Sequence, residues 1–143
     1  MKRMKTSLAL ALAVVGATVA TATAPAAGRG NPTVLNGVYR ISWTQQQLIA
    51  AGVSPAYARH NFGVITMTMR DGRFLWHQVP PPSCAGVYAV TGKSVSIRFT
   101  KVCTGSFSAR WSLRAGALRF LDVHDRSRDE AIEFGAKPWK KIG

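Results

Sequence analysis

Residues 64–79 read VITMTMRDGRFLWHQV, and the Asp71-Gly72 pair at their centre decides the fold. Asp-Gly between two alternating apolar runs is a strong hairpin signal, because a tight two-residue turn needs residues that tolerate a left-handed backbone. Such a turn sets Arg70 opposite Arg73, Met69 opposite Phe74 and Met67 opposite Trp76, which puts all four large apolar side chains on one face. Working outward, Gly92-Lys93 treated the same way pairs Val90 with Val95, Tyr88 with Ile97 and Gly86 with Phe99. Ala115-Gly116 pairs Leu113 with Leu118 and Trp111 with Phe120. A register wrong by one residue would scatter these side chains over both faces, so three agreeing hairpins support one another independently.

Ahead of the first hairpin, GVYRISW at 37–43 alternates, with Tyr39, Ile41 and Trp43 sharing a face. A short helical segment at 44–51 follows, where Thr44 and Gln47 form a capping box and Gly52 stops the helix. Ser54 and Pro55 start a second helical turn. After the third hairpin a last strand is expected in AIEF, 131–134, or in the tail. A meander of seven or eight strands has two open edges and one wet apolar face unless it closes. The expected fold is therefore mainly β: an up-and-down antiparallel barrel of about eight strands with a helical segment between the first two. A two-sheet β-sandwich is the alternative.

The chain opens MKRMKTSLALALAVVGATVATATAPAAG, a basic stretch, an apolar run and then small residues, which is the layout of a secretory signal peptide cleaved near Ala26. Residues 1–26 are then the signal, 27–36 a flexible lead-in and 37–143 the barrel domain. The apolar run is shorter than a membrane span requires, no cysteine near the cleavage site can take a lipid anchor, and no second apolar run follows. The expected location is extracellular. There the two cysteines, Cys84 and Cys103, are expected to pair, stapling the open end of the second hairpin with a stabilisation of about 3 kcal/mol. The hairpin turn sets Cys84 opposite Lys101, so a bulge or a loosened end near KVC must absorb the offset.

The segments GVYRISWT with LIAAG, GVYAVTGKSVSIRF, WSLRAGALRF and FGAKPWKKIG resemble a group of uncharacterised secreted bacterial proteins with lipocalin-like, calycin-type β-barrels. Lipocalins carry G-x-W in the first strand; here Gly37 is followed by Tyr39, and the tryptophan arrives at Trp43. The resemblance covers nearly the whole of residues 27–143. It implies a ligand-holding barrel and brings no catalytic residues with it.

Parity points Tyr39, Trp43, Met67, Met69, Phe74, Trp76, Tyr88, Phe99, Trp111 and Phe120 inward, a lining suited to an apolar or amphiphilic small molecule. A dry core filled by the same side chains is the competing reading, since small barrels fill themselves. The segment 44–61 is placed to cover one mouth. Outward parity gives Arg40, Arg70, Arg98, Arg110 and Arg119, with Arg73 and Arg114, interleaved with Ser and Thr. With 19 Lys and Arg against 6 acids, a net charge of +13, this wall favours an anionic ligand, envelope polymer or lipid surface. Inward aromatics leave no exposed stacking platform, which argues against nucleic acid.

Five of the six acids lie in LDVHDRSRDEAIE, 121–133, with His124. Asp122 and His124 are too few ligands for zinc, and a charged loop paired locally with Arg126 and Arg128 is expected. No catalytic or cofactor motif occurs, so neither an enzyme nor a cofactor is expected. Trp139 and Ile142 among the tail lysines are expected to complete the closing strand rather than dip into a membrane. The function expected is a secreted small-molecule-binding barrel. The alternative is a cell-envelope interaction module with a filled core that acts through its basic exterior.

Overall fold

In the computed structural model, which describes residues 30–143, the alternating segments become eight strands that follow one another around a closed barrel. They are β1 Gly37–Trp43, β2 Gly63–Arg70, β3 Arg73–Val79, β4 Ser83–Thr91, β5 Ser94–Lys101, β6 Ser106–Arg114, β7 Ala117–His124 and β8 Trp139–Lys141. β1 pairs with both β2 and β8, so the sheet closes on itself and the sandwich is set aside. The signal-peptide segment and its cleavage site lie outside the described residues.

The three hairpins have the registers that their turns dictate: Met67 faces Trp76, Tyr88 faces Ile97 and Trp111 faces Phe120. Asp71 and Gly72 have φ of 51° and 84°, and Ala115 and Gly116 have 47° and 71°, both residues left-handed as in a type I′ turn. The bulge falls on β5 at Thr100, beside KVC: Phe99 faces Gly86 and Lys101 faces Ala85, so Lys101 is opposite Ala85 rather than Cys84. Cys84 and Cys103 are bonded, with their Cα atoms 5.4 Å apart, and the bridge points to an oxidising environment.

Gly86 faces the start of the β5 bulge, and nothing larger fits there. A Cβ there would lie 2.2 Å from the carbonyl oxygen of Arg98 and 2.3 Å from the Phe74 ring. The Gly86→Ala variant is expected to lose about 1–3 kcal/mol in urea unfolding, because a backbone oxygen and a packed ring must both give way. A loss below half that lower figure would mean that the bulge relaxes freely.

The last strand is the tail, not AIEF. Ser127 caps a helix, α3 Arg128–Gly135, by accepting from the Glu130 N–H at 3.3 Å, and Asp129 and Glu130 place negative charge in its first turn. Residues 121–133 are accordingly not a charged loop paired with Arg126 and Arg128. Among the described residues the one ion pair within 4 Å is Arg110–Asp122, at 3.5 Å and well exposed. β8 has only two ladder-paired residues on each side, and α3 packs against its neighbour β7. Lys137 donates to the Ser42 carbonyl and lies 3.8 Å from the centre of the Trp43 ring, covering part of the free β1 edge.

Both mouths are covered. In the stretch read as a flexible lead-in, Pro32–Leu35 form a 3₁₀ turn whose Leu35 is fully buried. Tyr39 Oη donates to the Leu35 carbonyl at 3.0 Å, and Tyr88 Oη donates to the Pro32 carbonyl at 3.0 Å. These phenols explain the order: each needs a partner when its ring is buried, and the turn offers carbonyls. At the other mouth are α1 Gln45–Ala50 and α2 Pro55–Ala58, capped by Thr44 and Ser54 as their sequences indicate. Leu48, Val53 and Ala58 join the barrel core from there.

Candidate functional site: a filled interior and a basic wall

Nine of the ten residues assigned to the interior, Tyr39, Trp43, Met67, Met69, Phe74, Trp76, Tyr88, Trp111 and Phe120, are buried in one core, and Phe99 is half-buried against it. The space between them is occupied. Phe134, carried by α3, has its ring centre 4.2 Å from that of Phe107, 4.9 Å from Trp76 and 5.9 Å from Trp139. Phe120 contacts the same group, edge-on to Phe107 at 5.9 Å. Tilted and edge-on pairs at these spacings are the favoured packing of aromatic quadrupoles.

Sequence reasoning missed the residue at the centre of this cluster, since AIEF read as a strand gives Phe134 only a place in a wall. The available signal was Ser127 followed three residues later by Glu130, an N-cap pattern. Two carboxylates one turn apart on α3 also hold α2. Asp129 accepts from the Ser54 hydroxyl at 2.5 Å and from its N–H at 3.1 Å, and Glu133 accepts from the Tyr57 hydroxyl at 2.6 Å. The Ser54 bonds hold Asp129 below its usual pKa. Glu133 is only 1% exposed, and burial, with a smaller contribution from Glu130, pushes its pKa up to about 7 against the lowering effect of the Tyr57 bond.

The arginines assigned to the exterior, Arg40, Arg70, Arg98, Arg110 and Arg119, are all exposed. Across β5 and β6, Ser94 pairs with Arg110, Ser96 with Ser108 and Arg98 with Ser106; across β6 and β7, Ser108 pairs with His124 and Ser112 with Arg119. The result is a wall of hydroxyls and guanidinium groups, with an open groove of about 490 Å³ that Ser96, Arg98, Ser106, Ser108 and His124 help to line. Arg98 and Arg119 have no carboxylate within 4 Å among the described residues. Planar guanidinium groups beside rotatable hydroxyls can bind the oxygens of phosphates and carboxylates at several angles.

Asp122 lies in the left-handed region, φ 51°, where β7 loses register with β6, and it faces Arg110. Among the described residues no three His, Cys, Asp or Glu side chains gather as a metal site would require, and no helix is long and apolar enough to cross a membrane. The fold and the wall together define a class: a closed eight-stranded meander barrel of the lipocalin-like kind with a basic exterior. Comparison with protein families, curated proteins and solved structures finds no match to this chain.

Proposed function

We propose that this protein is an exported, bacterial-type interaction module whose filled barrel presents the Arg–Ser wall of β5–β7 to an anionic envelope polymer. The observation that carries this reading is the pairing of unneutralised arginines with serines across three neighbouring strands, over an interior already occupied by Phe134. Export is read from the N-terminal sequence pattern and accords with the disulfide. A polymer is favoured over a lipid surface because all four tryptophans are buried, which leaves no indole at the surface to anchor in an interface.

Titration with poly(glycerol phosphate) tests the proposal. Binding is expected to weaken at least tenfold between about 50 and 300 mM salt, as exposed charges are screened. The Arg98→Ala/Arg119→Ala variant is expected to lose a similar factor while keeping its melting temperature, and neutral dextran should not bind. Unchanged affinity in the variant would overturn the assignment of the wall. The rival reading, a small apolar or amphiphilic molecule inside the barrel, requires Phe134 to give up its place. A stoichiometric small molecule retained in native mass spectrometry of protein from its own host would favour that rival.

A further inference from the structure

A second groove lies on a different part of the wall, over β2–β5, and its chemistry is not that of the Arg–Ser face. It encloses about 1010 Å³. Its floor is low because β4 presents only Ala85 and Gly86 opposite the β5 bulge, while Leu75 and Thr68 stand on one side and Thr100 and Lys101 on the other. Leu75 is 58% exposed and pairs with Ala85, and Val87, beside Arg73, is 38% exposed. With Ala85 between them, these make an apolar ledge in a groove whose other side chains include Thr68, Thr100, Arg70, Arg73 and Lys101, and a ledge of that kind marks a contact.

The head of the ledge is cationic. Arg70 and Arg73 are direct cross-strand partners beside the turn, both exposed, and like charges so placed repel. No carboxylate lies within 4 Å of either among the described residues. Asp71, between them in sequence, is held instead by Asn36, whose amide donates to its Oδ1 at 2.8 Å and whose Oδ1 accepts from its N–H at 2.9 Å. Two opposed, unneutralised guanidinium groups at the end of an apolar ledge complement a ligand with an anionic head and an alkyl body. Lys101, opposite Ala85, adds a third cation and an aliphatic stem along the chain's path.

We propose that this groove binds one single-chain anionic amphiphile on the outside of the barrel, with its carboxylate or phosphate between Arg70 and Arg73 and its chain over Leu75 and Ala85. Arg98 borders the groove as the partner of Val87 but does not line it, and neither does Arg119, so loss of polymer binding through those two leaves Arg70, Arg73 and Leu75 in place.

The test is a titration of the ¹⁵N-labelled protein with dodecanoate below its micellar threshold. Saturable shifts are expected at Thr68, Leu75, Ala85 and Val87. Arg70→Ala/Arg73→Ala and Leu75→Ser, both surface changes, are each expected to weaken binding at least tenfold with the melting temperature kept. Dodecyl maltoside, with the same chain and no charge, should also bind at least tenfold more weakly. Dodecyl phosphate run alongside separates a fatty-acid head from a phospholipid-derived one, and either binding through both arginines supports the proposal. Shifts centred on Tyr39, Met67 and Trp76, equal affinity in the double arginine variant, or no saturable binding would overturn it.

Discussion

Replacing Phe134 with Ala is expected to destabilise the protein by about 3–5 kcal/mol, the range for emptying a buried aromatic site. The ring packs on Trp76, Phe107, Phe120 and Trp139, which belong to four different strands. Closed walls cannot collapse inward to refill the space, so the cavity penalty adds to the lost transfer energy. The effect should exceed that of a wall residue, because α3 also packs on β7 and holds α2 through Asp129 and Glu133. Guanidinium unfolding followed by tryptophan fluorescence reads it directly. A loss under about 1 kcal/mol would show that the barrel stands without its plug and that the interior is available to other occupants.

Stability is expected to fall as pH rises from about 4.5 to about 7, and Glu133 is the main cause. Its folded pKa is about 7 and its ordinary value 4.5, so in that window the folded chain holds a proton that the unfolded chain has released. The stabilisation is therefore complete below the lower value and lost as pH passes the upper one. A difference of that size corresponds to about 3 kcal/mol. Glu130, raised to about 6 by its own burial and by Asp125, acts in the same direction. Asp129, lowered by the Ser54 bonds, acts in the opposite direction as pH falls. Tyr57, whose pKa is raised by burial and by Glu133, stays protonated and keeps donating. Glu133→Gln keeps an acceptor for Tyr57 without a charge, and should flatten most of the slope and raise the melting temperature at pH 8. Equal slopes in the two proteins between pH 5 and 8 would remove Glu133 as the source.

The three hairpins were legible because each turn dipeptide sets a register, and each register can be checked against where Met67, Trp76, Tyr88 and Trp111 then fall. The same parity separates the buried aromatics from the exposed arginines, since strand side chains alternate with period two. The helix at 128–135 escaped that logic. Four residues, Ala131 to Phe134, are too few for an apolar run to distinguish a helix from a strand. The order of Pro32–Leu35 escaped it as well, because the phenols that hold the turn come from Tyr39 and Tyr88, and Tyr88 is far away in sequence.

Local pattern thus determined the hairpins, the disulfide partners, the capping box of α1 and the sidedness of the first seven strands, all of which depend on residues close in sequence or on simple alternation. Only the tertiary structure decided what fills the barrel and where the outer wall is concave. Occupancy depends on α3 meeting four strands at once, and the Leu75 groove depends on the small Ala85 of β4 lying between the β5 bulge and the arginines at the β2–β3 turn. Both are facts of three-dimensional coincidence, which no spacing along the chain encodes.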